Sequence, residues 1–92
     1  MRVHVIGTGL LGTSLGLALT GAGHEVTLAD LSPTAQRLAA DLGAGTVGEP
    51  EATDVVIVAT PPDVAGQTIL TALERFPEAT VTDVASVKTV LL

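Results

Sequence analysis

A doubly wound α/β fold, a parallel sheet covered by helices, follows from three observations on the sequence. A β-branched run at residues 2–6 (RVHVI) leads straight into glycines at Gly7, Gly9 and Gly12. Short β-branched runs then alternate with longer segments of helical periodicity, the pattern of strand-helix-strand units joined by right-handed crossovers. One run, residues 54–59 (DVVIVA), is continuously apolar after its first residue, which marks a strand buried on both faces.

Each element has its own justification. The first strand ends at Gly7. From Leu10 onward Leu11, Leu15, Ala18 and Leu19 recur at helical spacing until Gly21 and Gly23 stop them, and Gly12 and Gly16 stand one turn apart as a smooth stripe. Residues 24–30 (HEVTLAD) alternate Val26 and Leu28 as a second strand. Ser32 as N-cap and Pro33 at the first helical position then open a helix that Gly43 closes. Residues 44–47 (AGTV) are read as a short third strand and 48–54 as a polar connection or a single helical turn. Strand four is followed by the punctuation TPPD and by a helix expected to bury Ala65, Ile69, Leu73 and Phe76, with Asp63 as its cap. Residues 79–84 (ATVTDV) form the fifth strand.

Composition bounds what such a domain can do. With 92 residues and 47% hydrophobic content, the chain supports one compact domain, which buries roughly 60 to 65% of its unfolded surface. A net charge of −6 with 4 Lys+Arg argues against nucleic acid or an anionic membrane as partner, since both need clustered cations. The absence of cysteine removes disulfides, thiolate catalysis and Cys-based zinc sites and suits a reducing cytoplasm. Arg2 and the apolar stretch after it loosely imitate a leader, but His4 and repeated glycines break it up. The longest uninterrupted apolar run, residues 55–59, is far below the roughly 20 residues that span a bilayer.

The expected strand order is 3-2-1-4-5, and ligands of such sheets bind beyond the carboxyl ends of the strands, where the winding reverses. The glycine loop follows strand one, Asp30 ends strand two, Thr60 and Pro61 follow strand four, and Ser86 and Lys88 follow strand five. All lie on that one edge. The glycine spacing is that of a Rossmann-type dinucleotide cradle: Gly7 for a tight turn, Gly9 for backbone approach to a pyrophosphate, Gly12 for close helix packing. The helix start at Leu10, Leu11 and Gly12 offers free N–H groups to the anion. Asp30, 18 residues beyond Gly12, is placed to hold ribose hydroxyls and to repel a 2′-phosphate, which favours NAD over NADP. Its alternative is a turn residue leading into Ser32. Thr60 and Pro61 either line the nicotinamide side or serve turn geometry alone. No metal site is expected.

The segments GTGLLGTSLGLAL, DVVIVATPPD and TDVASVK resemble the N-terminal half of the prephenate dehydrogenase family, arogenate-using members included, across essentially the whole chain. The resemblance implies NAD-linked oxidation of a ring carbinol coupled to loss of the ring carboxylate, giving 4-hydroxyphenylpyruvate in tyrosine biosynthesis. It places Ser86 beside the chemistry, orienting substrate and a histidine, although Ser86 is equally an N-cap for a helix in SVKTVLL; Lys88 orients that loop or faces solvent. It also implies that the general base and the substrate-binding arginines lie beyond Leu92, in a following segment and a helical dimerisation domain. His4 and His24, within strand one and at the start of strand two, are then structural. On this reading the chain is a domain incomplete at its C-terminal end, inactive alone and self-associating through its strand-five edge, while the whole enzyme is a homodimer acting on prephenate or arogenate. A stand-alone NAD-binding or sensing module, and another NAD(P)-dependent cytoplasmic reductase, are the alternatives.

Overall fold

The computed structural model describes residues 1–84. In chain order its elements are β1 (Arg2–Ile6), α1 (Leu10–Gly21), β2 (Glu25–Ala29), α2 (Pro33–Asp41), β3 (Thr46–Val47), β4 (Val55–Val58), α3 (Pro62–Arg75) and β5 (Thr80–Asp83). The strands form one sheet in the order β3-β2-β1-β4-β5, every pair parallel. Strands two, four and five are each one residue shorter at both ends than the sequence suggests, and strand three keeps only its last two residues; the residues trimmed are, Val84 apart, not β-branched. Ser86 and Lys88 lie outside the described residues.

Alternation along the strands divides the core in two. Val3 and Val5 of β1 join Val26, Leu28, Ala39 and Ala44 on the face covered by α1 and α2. On the other face Val56 and Val58 of β4 pack with Ala72 and Phe76, against α3. The chain passes between faces through residues 48–54, which form no helix. The α3-side surface of β1 and β2, carrying His4, Ile6 and Ala29, therefore forms the wall of a cleft.

The packing bears out the glycine stripe and corrects two expectations in α3. The buried residues of α1 are Gly12 and Gly16, whereas Leu11 and Ala18 are exposed and Leu15 and Leu19 half-buried. A Cβ at Gly16 would stand 2.6 Å from the Ala44 carbonyl oxygen; the helix sits so close on its glycines that the leucines flank the contact. In α3 Leu73 is 47% exposed. The inward stripe runs Ala65, Ile69, Ala72, Phe76, and Leu73, one residue past Ala72, is turned about 100° from it. Asp63 is not a cap: the N-cap position belongs to Pro61, without a side-chain hydrogen bond, and Asp63 lies in the first turn, where its charge complements the helix dipole.

Candidate functional site

The carboxyl ends of β1, β2 and β4 converge on a cleft of about 790 Å³. Gly7, Gly9, Leu10 and Leu11 reach it from the first loop, Asp30 from the second, and Thr60 and Pro61 from the loop after β4. Gly12 lies beneath them, buried.

The three loop glycines differ in what surrounds them. Gly7 has φ +101°, and a Cβ there would lie 2.7 Å from the Ala59 carbonyl carbon and oxygen, so both conformation and space require glycine. A Cβ on Gly12 would collide with the Gly7 carbonyl oxygen. Around Gly9 nothing lies within 4 Å of a Cβ. Gly9 is also the N-cap of α1, which receives no side-chain capping bond, so the helix start keeps its unpaired N–H groups and positive dipole end toward open space.

Asp30 is fixed by the loop. Its Oδ2 accepts from the Thr8 N–H at 2.6 Å and the Thr8 hydroxyl at 2.8 Å, and Oδ1 accepts from the Ser32 N–H at 2.8 Å. Partial burial pushes its carboxyl upward, but these hydrogen bonds from Ser32 and Thr8 outweigh it and hold the group below its ordinary value. The turn into the Ser32 cap is thus realised, with the Ser32 hydroxyl accepting from Ala35 N–H at 3.2 Å. The carboxylate still lines the cleft.

Thr60 carries a different signal. Its hydroxyl oxygen is buried and has no hydrogen-bond partner, although buried hydroxyls ordinarily find one. Leu31, beside Asp30, is 95% exposed and lines the same cleft. Sequence reading missed Leu31 and Thr8: a leucine after a strand-ending aspartate carries no periodic signal, and Thr8 is hidden between two glycines that attract all the attention. The hydroxyl next to the loop, paired with an acid at the end of the following strand, was the available clue.

Both histidines have local partners. His4 is 2% exposed, its Nδ1 lies 2.7 Å from the Thr27 hydroxyl and its ring centroid 5.8 Å from that of Phe76. Burial lowers its pKa, partly countered by Glu49 and by the bond to Thr27, and reinforced by Arg75. His24 Nδ1 lies 3.2 Å from the N-terminal amine. Arg75, the cleft's arginine, pairs with Glu49 at 2.9 Å. No group of residues suited to a metal ion occurs among the described residues, and among these no helix is long and apolar enough to cross a membrane.

Known proteins resemble this chain in sequence and in fold. Residues 15–92 match the sequence model of the prephenate dehydrogenase nucleotide-binding domain. The match begins inside α1, so the role of Gly7, Gly9 and Gly12 rests on their geometry. A probable prephenate dehydrogenase of Streptomyces niveus, NovF, is 45% identical over 85 residues, 91% of this chain and 24% of its own length. The crystal structure of Synechocystis arogenate dehydrogenase has the same fold, with a TM-score of 0.82 at 24% identity over 90% of this chain and 32% of its own. Mycobacterium tuberculosis 3-hydroxyisobutyrate dehydrogenase superposes with a TM-score of 0.67 at 27% identity, over 89% of this chain and 30% of its own. This chain therefore spans a quarter to a third of the length of these relatives. With the matched segment carrying most of a nucleotide-binding fold and the cleft at its carboxyl edge, the chain belongs to the prephenate dehydrogenase family, of which it carries the nucleotide-binding domain.

Proposed function

We propose that this chain binds NAD and supplies the hydride-acceptor half of a dehydrogenase that oxidatively decarboxylates prephenate, or arogenate, in the cytoplasm. The observation that carries the reading is the uncapped start of α1 beside an open Gly9, a ready site for a diphosphate. The buried, unpartnered Thr60 hydroxyl fits the same group, since a bound dinucleotide gives it a partner. Leu10 and Leu11 offer backbone N–H groups, Asp30 accepts from the adenosine ribose, and Thr60 with Pro61 lies on the nicotinamide side. Leu31 and Val64, both apolar and both lining the cleft, suit the faces of the adenine.

The residues of this cleft would hold the cofactor, which when bound would supply a hydride acceptor for the substrate's carbinol carbon. This chain's own residues would orient that acceptor. Among the described residues His4 is buried against Phe76 and Thr27 and Arg75 is held by Glu49, so neither is placed to act as the base. We therefore assign the base and the substrate-binding cations to another part of the enzyme, with Ser86 orienting the base and substrate, and expect the 92-residue chain to bind cofactor without turnover. NAD is favoured over NADP because the Asp30 carboxylate lines the cleft and would repel a 2′-phosphate placed beside it. We also infer self-association through the β5 edge, and light scattering that shows a monomer at high concentration overturns that part.

The test is calorimetric titration with NAD and NADP, since the chain has no Trp or Tyr to report binding. Saturable NAD binding, weaker NADP binding, and a recovery of NADP binding in Asp30→Ala are expected. A folded sample that binds neither overturns the reading.

A further inference from the structure

We propose that Thr8 is a positioning residue for cofactor selectivity: it ties one oxygen of the Asp30 carboxylate to the glycine loop, so that only Oδ1 is left to receive a ribose hydroxyl. This rests on the reading of the cleft as a dinucleotide site.

A carboxylate has about four acceptor positions, two on each oxygen. Oδ2 of Asp30 receives both donors of Thr8, backbone and side chain, and is filled. Oδ1 receives the Ser32 N–H alone, which leaves it one acceptor position, and Asp30 lines the cleft. Thr8 is itself 5% exposed, so its hydroxyl is aimed inward at Asp30 rather than at solvent. Its carbonyl accepts from the Thr13 hydroxyl at 2.9 Å, which ties the loop to the first turn of α1. Behind Asp30, its own N–H donates to Gln36 Oε1 at 3.2 Å. The acid is thus held from the loop, from the α2 cap and from α2 itself.

The consequence is selectivity. Rotation about the terminal torsion of an aspartate is otherwise soft, and a free carboxylate can turn away from an approaching 2′-phosphate. One clamped by Thr8 cannot, and the repulsion between like charges is felt in full at short range. The same clamp presents Oδ1 to a 2′-hydroxyl without a further cost in side-chain ordering.

Thr8→Val removes the hydroxyl donor while keeping the backbone N–H bond and the side-chain shape; Thr8→Ala removes it without a second methyl to pack; Thr8→Ser keeps it. We measure NAD and NADP binding to each by calorimetry, and the titration of the Asp30 carboxyl by carbon NMR. Expected are a loss of NAD affinity of roughly three- to tenfold in Thr8→Val and Thr8→Ala, the range of one net hydrogen bond, and NADP binding that is unchanged or tighter, so that the NAD:NADP ratio falls. The Asp30 midpoint should rise in both, and Thr8→Ser should restore ratio and midpoint. An unchanged midpoint, or a raised midpoint with the wild-type ratio, overturns the proposal while leaving the dinucleotide site intact. Failure of the wild-type chain to bind either dinucleotide overturns the site reading itself and this inference with it.

Discussion

The two ends of the sheet are built from similar residues and treat their polar groups in opposite ways. At the amino end Arg2 N–H donates to Asp54 Oδ2 at 2.8 Å and the Arg2 guanidinium lies 3.5 Å from Asp54 Oδ1. Thr53 donates to the Arg2 carbonyl at 3.0 Å, and the N-terminal amine reaches His24. Each of these groups is answered from within the chain. At the carboxyl end the start of α1 is uncapped, the space at Gly9 is open and the Thr60 hydroxyl is buried without a partner. A fold has no reason of its own to leave such capacity unmet beside a cleft, and the difference between the ends is what marks one of them as the working edge.

The sharpest way to break this comparison is within the glycine loop. Gly12→Ala forces a Cβ into the Gly7 carbonyl oxygen and is expected to cost about 3 kcal/mol, a fall in Tm of roughly 10–20 °C by thermal denaturation. Gly9→Ala meets no atom within 4 Å and should change stability by less than about 1 kcal/mol, while lowering NAD affinity by roughly tenfold or more because its methyl fills the space left for the diphosphate. Equal stability losses in the two variants would mean that Gly9 is a folding residue like Gly12.

Thr60→Val separates binding from stability in the other direction. The valine deletes a buried oxygen that the folded chain leaves unpaired, so stability should hold or rise by about 1 kcal/mol. NAD binding should weaken by several-fold, as expected for the loss of one hydrogen bond. A fall in Tm would show that the hydroxyl is satisfied in the folded protein and is no evidence for a ligand.

Much of this edge was legible in the sequence because its signals are covalent and local. A β-branched run ending in Gly7, with Gly9 and Gly12 at fixed offsets and Asp30 closing the next strand, leaves few alternatives once strands and helices alternate. Packing distances were not legible. The stripe of Gly12 and Gly16 on α1 was legible as a close-packing face, but not how close, with a Cβ at Gly16 only 2.6 Å from the Ala44 carbonyl oxygen. In α3 Leu73 lost its inward place to Ala72, since the smaller side chain lets the helix lie nearer β4. Thr8 was harder to find because its importance depends on a hydrogen bond across 22 residues, for which the hydroxyl in the loop and the acid ending the next strand were the only clue.

The smallest expected effect comes from the answered end, and it is the control for the rest. Hydrogen bonds from the Arg2 backbone and side chain hold the Asp54 carboxyl below the ordinary 3.8, as those from Ser32 and Thr8 do for Asp30. A carboxyl whose folded pKa is depressed contributes stability that is complete above its unfolded value and is lost as pH falls through its folded one. Asp54→Asn should therefore lower Tm slightly at neutral pH, by less in high salt because the site is exposed, and the difference from wild type should shrink in acid below the folded pKa. NAD binding should not change, because Asp54 does not line the cleft. Asp30→Asn should flatten the same acid limb and also shift the NAD:NADP ratio. Two aspartates with the same direction of titration, of which only Asp30 affects binding, would assign the difference between the ends to what each carboxylate faces rather than to how strongly each is held.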